Sequence, residues 1–243
     1  MRIRSVLVLL AVCLLSACSG PRNFFREYEY EEEMYLSLDG TATLYVNSSV
    51  AALNALRGTS LDANPETLPE TRDIEAYYSS PNVEVTRITF SRRNNRRYIH
   101  VRMDVKNVEK LGESAPFAWS TYSFKRDGDL YYFKQEVGKA AGKDVGDIWK
   151  GDEIIAFRMH LPSKIAYHNA GAGNLLRGNI LVWEQEYAAR FVSSPLTIDA
   201  RMETQSILYR TIALFGATFV VVAILFVGII WWVVRRGAKR PAR

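Results

Sequence analysis

The sequence predicts an α+β domain built on an antiparallel β-sheet of about nine strands, with two or three short helices and one C-terminal transmembrane helix. Three observations predict this class. Short runs of β-branched and aromatic residues alternate with polar residues, and two of the connections between them contain the hairpin dipeptide Asp-Gly. Two short segments show helical spacing. A long stretch near the C-terminus has no charged residue.

The strands are predicted as three hairpins followed by less regular segments. Asp39-Gly40 connects the first hairpin, an arginine-rich tip the second, and Asp127-Gly128 the third. In chain order the predicted strands are Tyr28 to Leu38, Thr41 to Val46, Val83 to Phe90, Tyr98 to Lys106, Trp119 to Phe124, Leu130 to Val137, a long strand Glu153 to His168 interrupted near Leu161-Pro162, Gly178 to Tyr187, and Leu196 to Met202.

Two short helices are predicted between the first and second hairpins. Ser48 or Ser49 can cap the first helix, Val50 to Arg57, and Gly58 ends it. The second helix covers Thr71 to Tyr78.

The first 17 residues have the order of parts expected of a secretory signal: two arginines, an apolar run and small residues. The segment Leu15-Ser16-Ala17-Cys18 resembles a bacterial lipobox. It predicts a lipoprotein signal peptide over residues 1–17, a diacylglyceryl group on Cys18, and a short tether over residues 18–27. The alternatives are a plain signal peptide cleaved near Ala17 or an uncleaved anchor.

The segment Thr211 to Val234 is long enough to cross a membrane, because 24 residues form a helix of about 36 Å and the hydrocarbon core is about 30 Å thick. Trp231 and Trp232 lie where an interfacial aromatic belt is expected, and five basic residues follow in the tail 235–243. The positive-inside rule therefore predicts a cell-membrane protein with an extracytoplasmic body and a cytoplasmic C-terminus. The short connections at both ends favour one membrane for both anchors.

Residues 28–204 are predicted to form one extracytoplasmic domain, with a weak seam at 138–151 that is the alternative boundary between two parts. The chain has a net charge of +5, but seven of its basic residues lie at the two ends. The body is therefore close to neutral, and its charge gives no support for nucleic-acid binding. The body contains no cysteine, which excludes a disulfide and a thiolate metal site there.

Familiar catalytic motifs are absent from the sequence, which contains no GxSxG, HExxH, P-loop or GxGxxG. His100, His160 and His168 are the only imidazoles, and a hydrogen-bonded or exposed histidine is the simpler interpretation of each. We therefore expect no catalytic residue, no metal site and no cofactor. A cluster of these histidines with carboxylates in a cleft would overturn that expectation.

Two charged runs are candidate contact surfaces. Five glutamates lie at the start of the first strand: Glu27, Glu29, Glu31, Glu32 and Glu33. The favoured interpretation is a solvated face, or a sheet edge whose charges prevent pairing with another strand; the alternative is a site for a divalent cation or a basic partner. Four arginines at the tip of the second hairpin can pair with anionic lipid headgroups, the alternative being a merely soluble tip; they are Arg92, Arg93, Arg96 and Arg97.

The aromatic strands of the third hairpin are a candidate site for an apolar ligand. Aromatic side chains can line a cavity for an acyl chain, although they also build ordinary sheet cores. The candidate lining residues are Tyr122, Phe124, Tyr131 and Phe133.

A pattern in the later part of the body resembles a known family. Leu161-Pro162-Ser163-Lys164-Ile165 is followed by Asn169, a glycine-rich loop and Gly178-Asn179-Ile180-Leu181-Val182-Trp183. This order is similar to the turn-and-strand pattern of LppM-like bacterial lipoproteins, which also have a lipobox, a β-rich external domain and one C-terminal transmembrane helix followed by arginines. Leu161 and Ser163 replace the phenylalanine and glycine of that pattern, so no binding residue is carried over.

The resemblance implies a membrane-anchored lipoprotein whose external domain binds a lipid or another apolar envelope component without catalysis. The alternative is an interaction or scaffold protein of a cell-envelope complex, which would use an exposed patch or a sheet edge. An internal cavity lined by the aromatic residues would favour the first function, and a filled core the second.

Overall fold

The computed structural model describes residues 28–142, 149, 152–171, 175–176, 179–192 and 194–237. The predicted signal peptide, Cys18, the tether, most of the predicted seam and the end of the basic tail lie outside these residues. The strands are β1 Tyr30–Leu36, β2 Ala42–Ser49, β3 Val83–Arg93, β4 Arg96–Val105, β5 Ser120–Asp127, β6 Leu130–Val137, β7 Ile154–His160, β8 Ser163–His168, β9 Leu175–Leu176, β10 Ile180–Glu186 and β11 Leu196–Ser206. The α-helices are α1 Val50–Arg57, α2 Thr71–Tyr78 and α3 Ile207–Gly237, with 3-10 turns at Val108–Glu113, Ala115–Phe117 and Tyr187–Arg190.

The strands form two sheets. The large sheet has the order β3-β4-β2-β1-β7-β10-β9, and the small sheet has the order β5-β6-β11-β8. The predicted α+β class is confirmed, but the sequence did not resolve the division into two sheets. It also did not resolve that β1 and β7 run parallel, because residues so far apart in the chain leave no local signal of their pairing.

The predicted long strand Glu153 to His168 is two strands that belong to different sheets. β7 pairs with β1 and β10 in the large sheet, whereas β8 pairs with β11 in the small sheet. The chain changes sheets at Leu161-Pro162, where proline has no N–H to donate to a ladder.

The local signals for the turns and helices are confirmed. The two-residue turn between β3 and β4 is Asn94-Asn95, both with positive φ, as a tight hairpin requires. Ser49 caps α1, since its hydroxyl accepts a hydrogen bond of 3.1 Å from the Ala52 N–H. Gly58 ends α1 in the left-handed conformation.

One continuous core joins the two sheets and the two short helices. The inner face of the large sheet contributes Met34, Leu44 and Met103, and it packs with Leu53 of α1 and Ile198 of the small sheet. The opposite side of the large sheet is called the outer face here; it carries the side chains of Glu31, Glu33 and Tyr35.

The C-terminal helix α3 begins directly after β11. The Ile207 N–H donates to the carbonyl of Pro162 at 3.0 Å, so the start of the helix is bonded to the β7–β8 turn. Its side chains are exposed throughout, and it is the one described helix long and apolar enough to span a membrane. At its far end, the Arg235 and Arg236 guanidinium groups lie over the rings of Trp231 and Trp232, at 4.2 and 4.0 Å.

Candidate functional site at the helix-bearing end of the large sheet

The candidate membrane-spanning helix α3 begins at one end of the large sheet. Tyr35 pairs with His160 at the end of β7, and the carbonyl of Pro162, two residues later, accepts a hydrogen bond from the start of α3. One row of residues crosses the sheet beside this position, because Leu36 pairs with Ala42, Ala42 with Val105, and Val105 with Val83. The end of the large sheet that contains this row is called the helix-bearing end.

An open groove of about 480 Å³ lies at the helix-bearing end. The Thr43 hydroxyl on its wall donates to Asp104 at 3.0 Å. The rest of the lining mixes hydroxyls, carboxylates, one lysine and short apolar side chains: Tyr35, Leu36, Ser37, Thr41, Ala42, Glu84, Val105 and Lys106. The groove spans β1 to β3, and because adjacent strands are about 4.8 Å apart it lies about 5 to 19 Å from β7, whose following turn is bonded to the start of the helix.

The outer face beside the groove carries a bonded cluster of charged and aromatic side chains. Arg158 contacts Glu31 at 3.1 Å and Glu33 at 3.7 Å, and His160 Nε2 lies 2.6 Å from Glu33 Oε1. Tyr35, 41% exposed, stacks on the His160 ring with centroids 3.8 Å apart. Burial alone raises the pKa of Glu33, but the His160 hydrogen bond and the Arg158 charge hold it below the usual value.

The interpretation of the glutamate run as a solvated face or sheet edge is wrong. β1 lies between β2 and β7, so it is a central strand. Glu29, Glu31 and Glu33 face outward but are largely buried beneath arginine partners, and Glu32 faces the core. The run is therefore mainly a structural charge network, because a carboxylate in this position needs a cation or a hydrogen bond.

The four arginines of the second hairpin lie far from the helix-bearing end. They are at the opposite end of β3 and β4, ten residues along the strand from Val83, which corresponds to about 30 Å. Arg96 contacts Glu29 at 2.5 Å and Glu153 at 3.0 Å, with its side chain only 15% exposed. Arg97 donates to the carbonyl of Pro65, and Arg93 donates to that of Tyr28.

Arg92 is the most exposed of these four arginines, and it pairs with Glu66 at 2.5 Å. The guanidinium groups thus have partners within the domain. Their position and partners give no support for a lipid-headgroup site near the start of α3.

The four aromatic candidates lie together on β5 and β6, where they form or pack against the hydrophobic core. Phe124 stacks on Tyr131 with centroids 5.0 Å apart, Phe133 is buried in the core, and Tyr122 receives a hydrogen bond from Gln135 at 3.3 Å. A small cavity between the sheets has a volume of only about 10 Å³, and none of the four aromatic residues lines it. Such a space is too small for an acyl chain.

A buried polar group lines that small cavity. Glu32 is 3% exposed and accepts a hydrogen bond of 2.6 Å from the Tyr30 hydroxyl. Burial raises the pKa of Glu32 above its usual value, against the opposing effects of the Tyr30 hydrogen bond and the Arg57 charge. Strand parity, which separates Glu32 from Glu31 and Glu33, is the signal that identifies it from sequence.

The residues that carry the family resemblance contact one another. The Asn179 side chain donates to the carbonyl of Ser163, and Asn179, with φ of +62°, accepts from the Leu161 N–H through its carbonyl at 3.1 Å. The Trp183 indole N–H donates to Asn169 Oδ1 at 2.8 Å. The pattern therefore shapes the turn on which the start of α3 rests.

Within the described ranges, no group of three or more His, Cys, Asp or Glu side chains is arranged to hold a metal ion. No protein-family model, no curated protein and no solved structure matches the chain.

Proposed function

We propose that this chain is a membrane-anchored envelope protein whose extracytoplasmic domain binds a lipid or a similar envelope component. The observation that supports this function is the open groove of about 480 Å³ at the helix-bearing end. A molecule held in the membrane beside α3 can reach this groove without leaving the surface. The mixed lining of hydroxyls, carboxylates and a lysine suits a polar headgroup better than an acyl chain.

Three further expectations belong to the same proposal. The lipobox makes Cys18 the lipidated N-terminus, the basic tail after α3 lies in the cytoplasm, and the resemblance to LppM-like lipoproteins accounts for the two anchors. Each is testable on the purified chain, since lipidation adds a defined mass and topology decides which end is protected in sealed vesicles.

Native mass spectrometry on the full chain in mild detergent, incubated with envelope lipids, tests the binding. We expect one retained lipid in the wild type and its loss in Thr43→Trp, because the indole fills the groove. The control is Thr121→Trp, an exposed threonine on β5. If Thr43→Trp retains the lipid as the control does, the lipid binds elsewhere, and this result refutes binding in the groove.

A second function is favoured by the filled core. The space of about 10 Å³ between the sheets is too small for a ligand, which favours an interaction or scaffold protein of an envelope complex. The outer face, with Tyr35 exposed beside paired charges, is then the contact surface. Absence of any retained lipid in the wild type, together with a cross-linked protein partner lost on Tyr35→Ala, is the result that selects this function.

A further inference from the structure

The outer face of the large sheet contains a chain of four hydrogen-bonded side chains. Ser91 Oγ lies 2.7 Å from His100 Nε2, and His100 Nδ1 lies 2.9 Å from Asn47 Oδ1. The Asn47 amide nitrogen in turn donates to Glu31 Oε2 at 3.1 Å. These residues come from β3, β4, β2 and β1, which are consecutive strands in the sheet.

The hydrogen bonds determine the protonation pattern along this chain. Glu31 accepts, so the Asn47 amide nitrogen faces it and the Asn47 carbonyl oxygen is turned toward His100. That oxygen can only accept, and therefore His100 Nδ1 carries the proton. The lone pair of His100 Nε2 then accepts the hydroxyl proton of Ser91. This order of nucleophile, base and orienting group is the arrangement that activates a serine.

The environment keeps the base neutral and the serine accessible. Burial, and secondarily the charge of Arg93, lowers the pKa of His100 below its usual value. Ser91 is exposed, and it lies on β3, the edge strand of the sheet. An acyl donor can therefore approach its oxygen from solvent. Arg93 follows Ser91 by two residues and so lies on the same face, where its guanidinium lies over the Tyr98 ring at 4.4 Å.

We propose that Ser91 is an activated nucleophile, with His100 as its general base, and that it hydrolyses carboxylic esters presented from solvent. The Ser91 oxygen attacks the ester carbonyl while its proton passes to His100 Nε2. The alcohol leaves with that proton, and a water molecule then hydrolyses the acyl-serine by the same route, returning the proton to Ser91. Asn47 and Glu31 are positioning residues, because they act through the imidazole.

A fluorophosphonate probe tests this activity on the full chain in detergent. The reaction forms a P–O bond to Ser91 and releases fluoride, so peptide mass spectrometry locates the adduct. We expect labelling at Ser91 in the wild type and none at this position in Ser91→Ala. In His100→Gln we expect the labelling rate to fall at least about 100-fold, because a general base contributes that much or more. Thr89→Ala, an exposed hydroxyl two residues earlier on the same face, is the matched control and keeps the wild-type rate.

Absence of a Ser91 adduct in wild-type protein refutes the proposal, and so does labelling that His100→Gln leaves unchanged. The unfolding transition of each variant is recorded alongside, so that loss of the fold is not mistaken for loss of the base. Nitrogen-15 NMR of the imidazole gives a readout that does not depend on labelling. We expect the Nδ1–H tautomer in the wild type and a shift toward the other tautomer in Asn47→Ala; an Nε2–H tautomer in the wild type overturns the assignment of the base.

Discussion

Glu32 provides the most direct test of the physical argument, since it is a carboxyl group enclosed between two sheets. Its side chain is 3% exposed, and its oxygen accepts a hydrogen bond of 2.6 Å from Tyr30. Substitution Glu32→Gln keeps an acceptor for that hydroxyl and nearly the same volume, but it removes the titratable group. The comparison therefore isolates the cost of ionising Glu32 inside the protein.

The direction of the effect follows from proton linkage. Because burial raises the pKa of Glu32 in the folded protein, the folded chain binds more protons than the unfolded chain above the usual glutamate pKa. The free energy of unfolding of the wild type must then fall, relative to Glu32→Gln, as the pH rises from about 4.5. The steepest slope for one group is about 1.4 kcal/mol per pH unit, and the difference levels off above the folded pKa.

Thermal unfolding of both full chains in the same detergent, from pH 4 to 9, measures this difference. For a protein of this size, about 1.4 kcal/mol corresponds to a change of roughly 3–6 °C in Tm. We expect the curves to meet near pH 4 and to separate toward neutral pH, with Glu32→Gln the more stable. Parallel curves, or a wild type that gains stability over the variant with rising pH, would contradict the burial of this carboxyl.

Three further tests, with five substitutions, examine the packing. Arg96→Met leaves Glu29 and Glu153 without this cation, and we expect the free energy of unfolding, measured in urea, to fall by about 3–5 kcal/mol. Arg92→Met removes only an exposed ion pair, so its free energy of unfolding should fall by less than about 1 kcal/mol. Equal losses in the two variants would refute this distinction between the two arginines. In Gly138→Ala the new Cβ lies 2.5 Å from the carbonyl oxygen of Trp119, so we expect the free energy of unfolding to fall by about 1–3 kcal/mol. Gly216→Ala is the control, and we expect no change there because the new Cβ has no atom within 4 Å. Ser49→Ala removes the cap of α1 and should cost about 1 kcal/mol by the same assay; an unchanged midpoint would show that the cap contributes nothing.

The site was less predictable than the fold, because its chemistry depends on cross-strand pairing. The sequence identified His100 as one of three histidines, but its partners Asn47 and Ser91 come from two neighbouring strands. The four arginines were identified as a group, whereas their partners Glu29, Glu66 and Glu153 lie elsewhere in the chain. The aromatic residues of the third hairpin were placed correctly on β5 and β6, but the space around them depends on how the two sheets pack.

Several features of the fold depend on residues close together in the chain, and the sequence predicts them. These are the α+β class, the hairpins, both short helices with their limits, and the one described helix able to span a membrane. Side-chain periodicity, turn dipeptides and caps act over a few residues, and therefore they can be recognised without knowing the rest of the fold.

Which distant segments meet became clear from the folded chain alone. β1 pairs with β7 in parallel, so the strand that carries the glutamates is a central strand of the large sheet. Glu32 therefore lies in the core, and Glu29 and Glu31 lie beside Arg96 and Arg158. The tertiary structure also placed the groove at the end where α3 begins and the arginine hairpin about 30 Å away. The physical reason is that such pairings result from burying one continuous core, and no residue carries that information in its immediate neighbours.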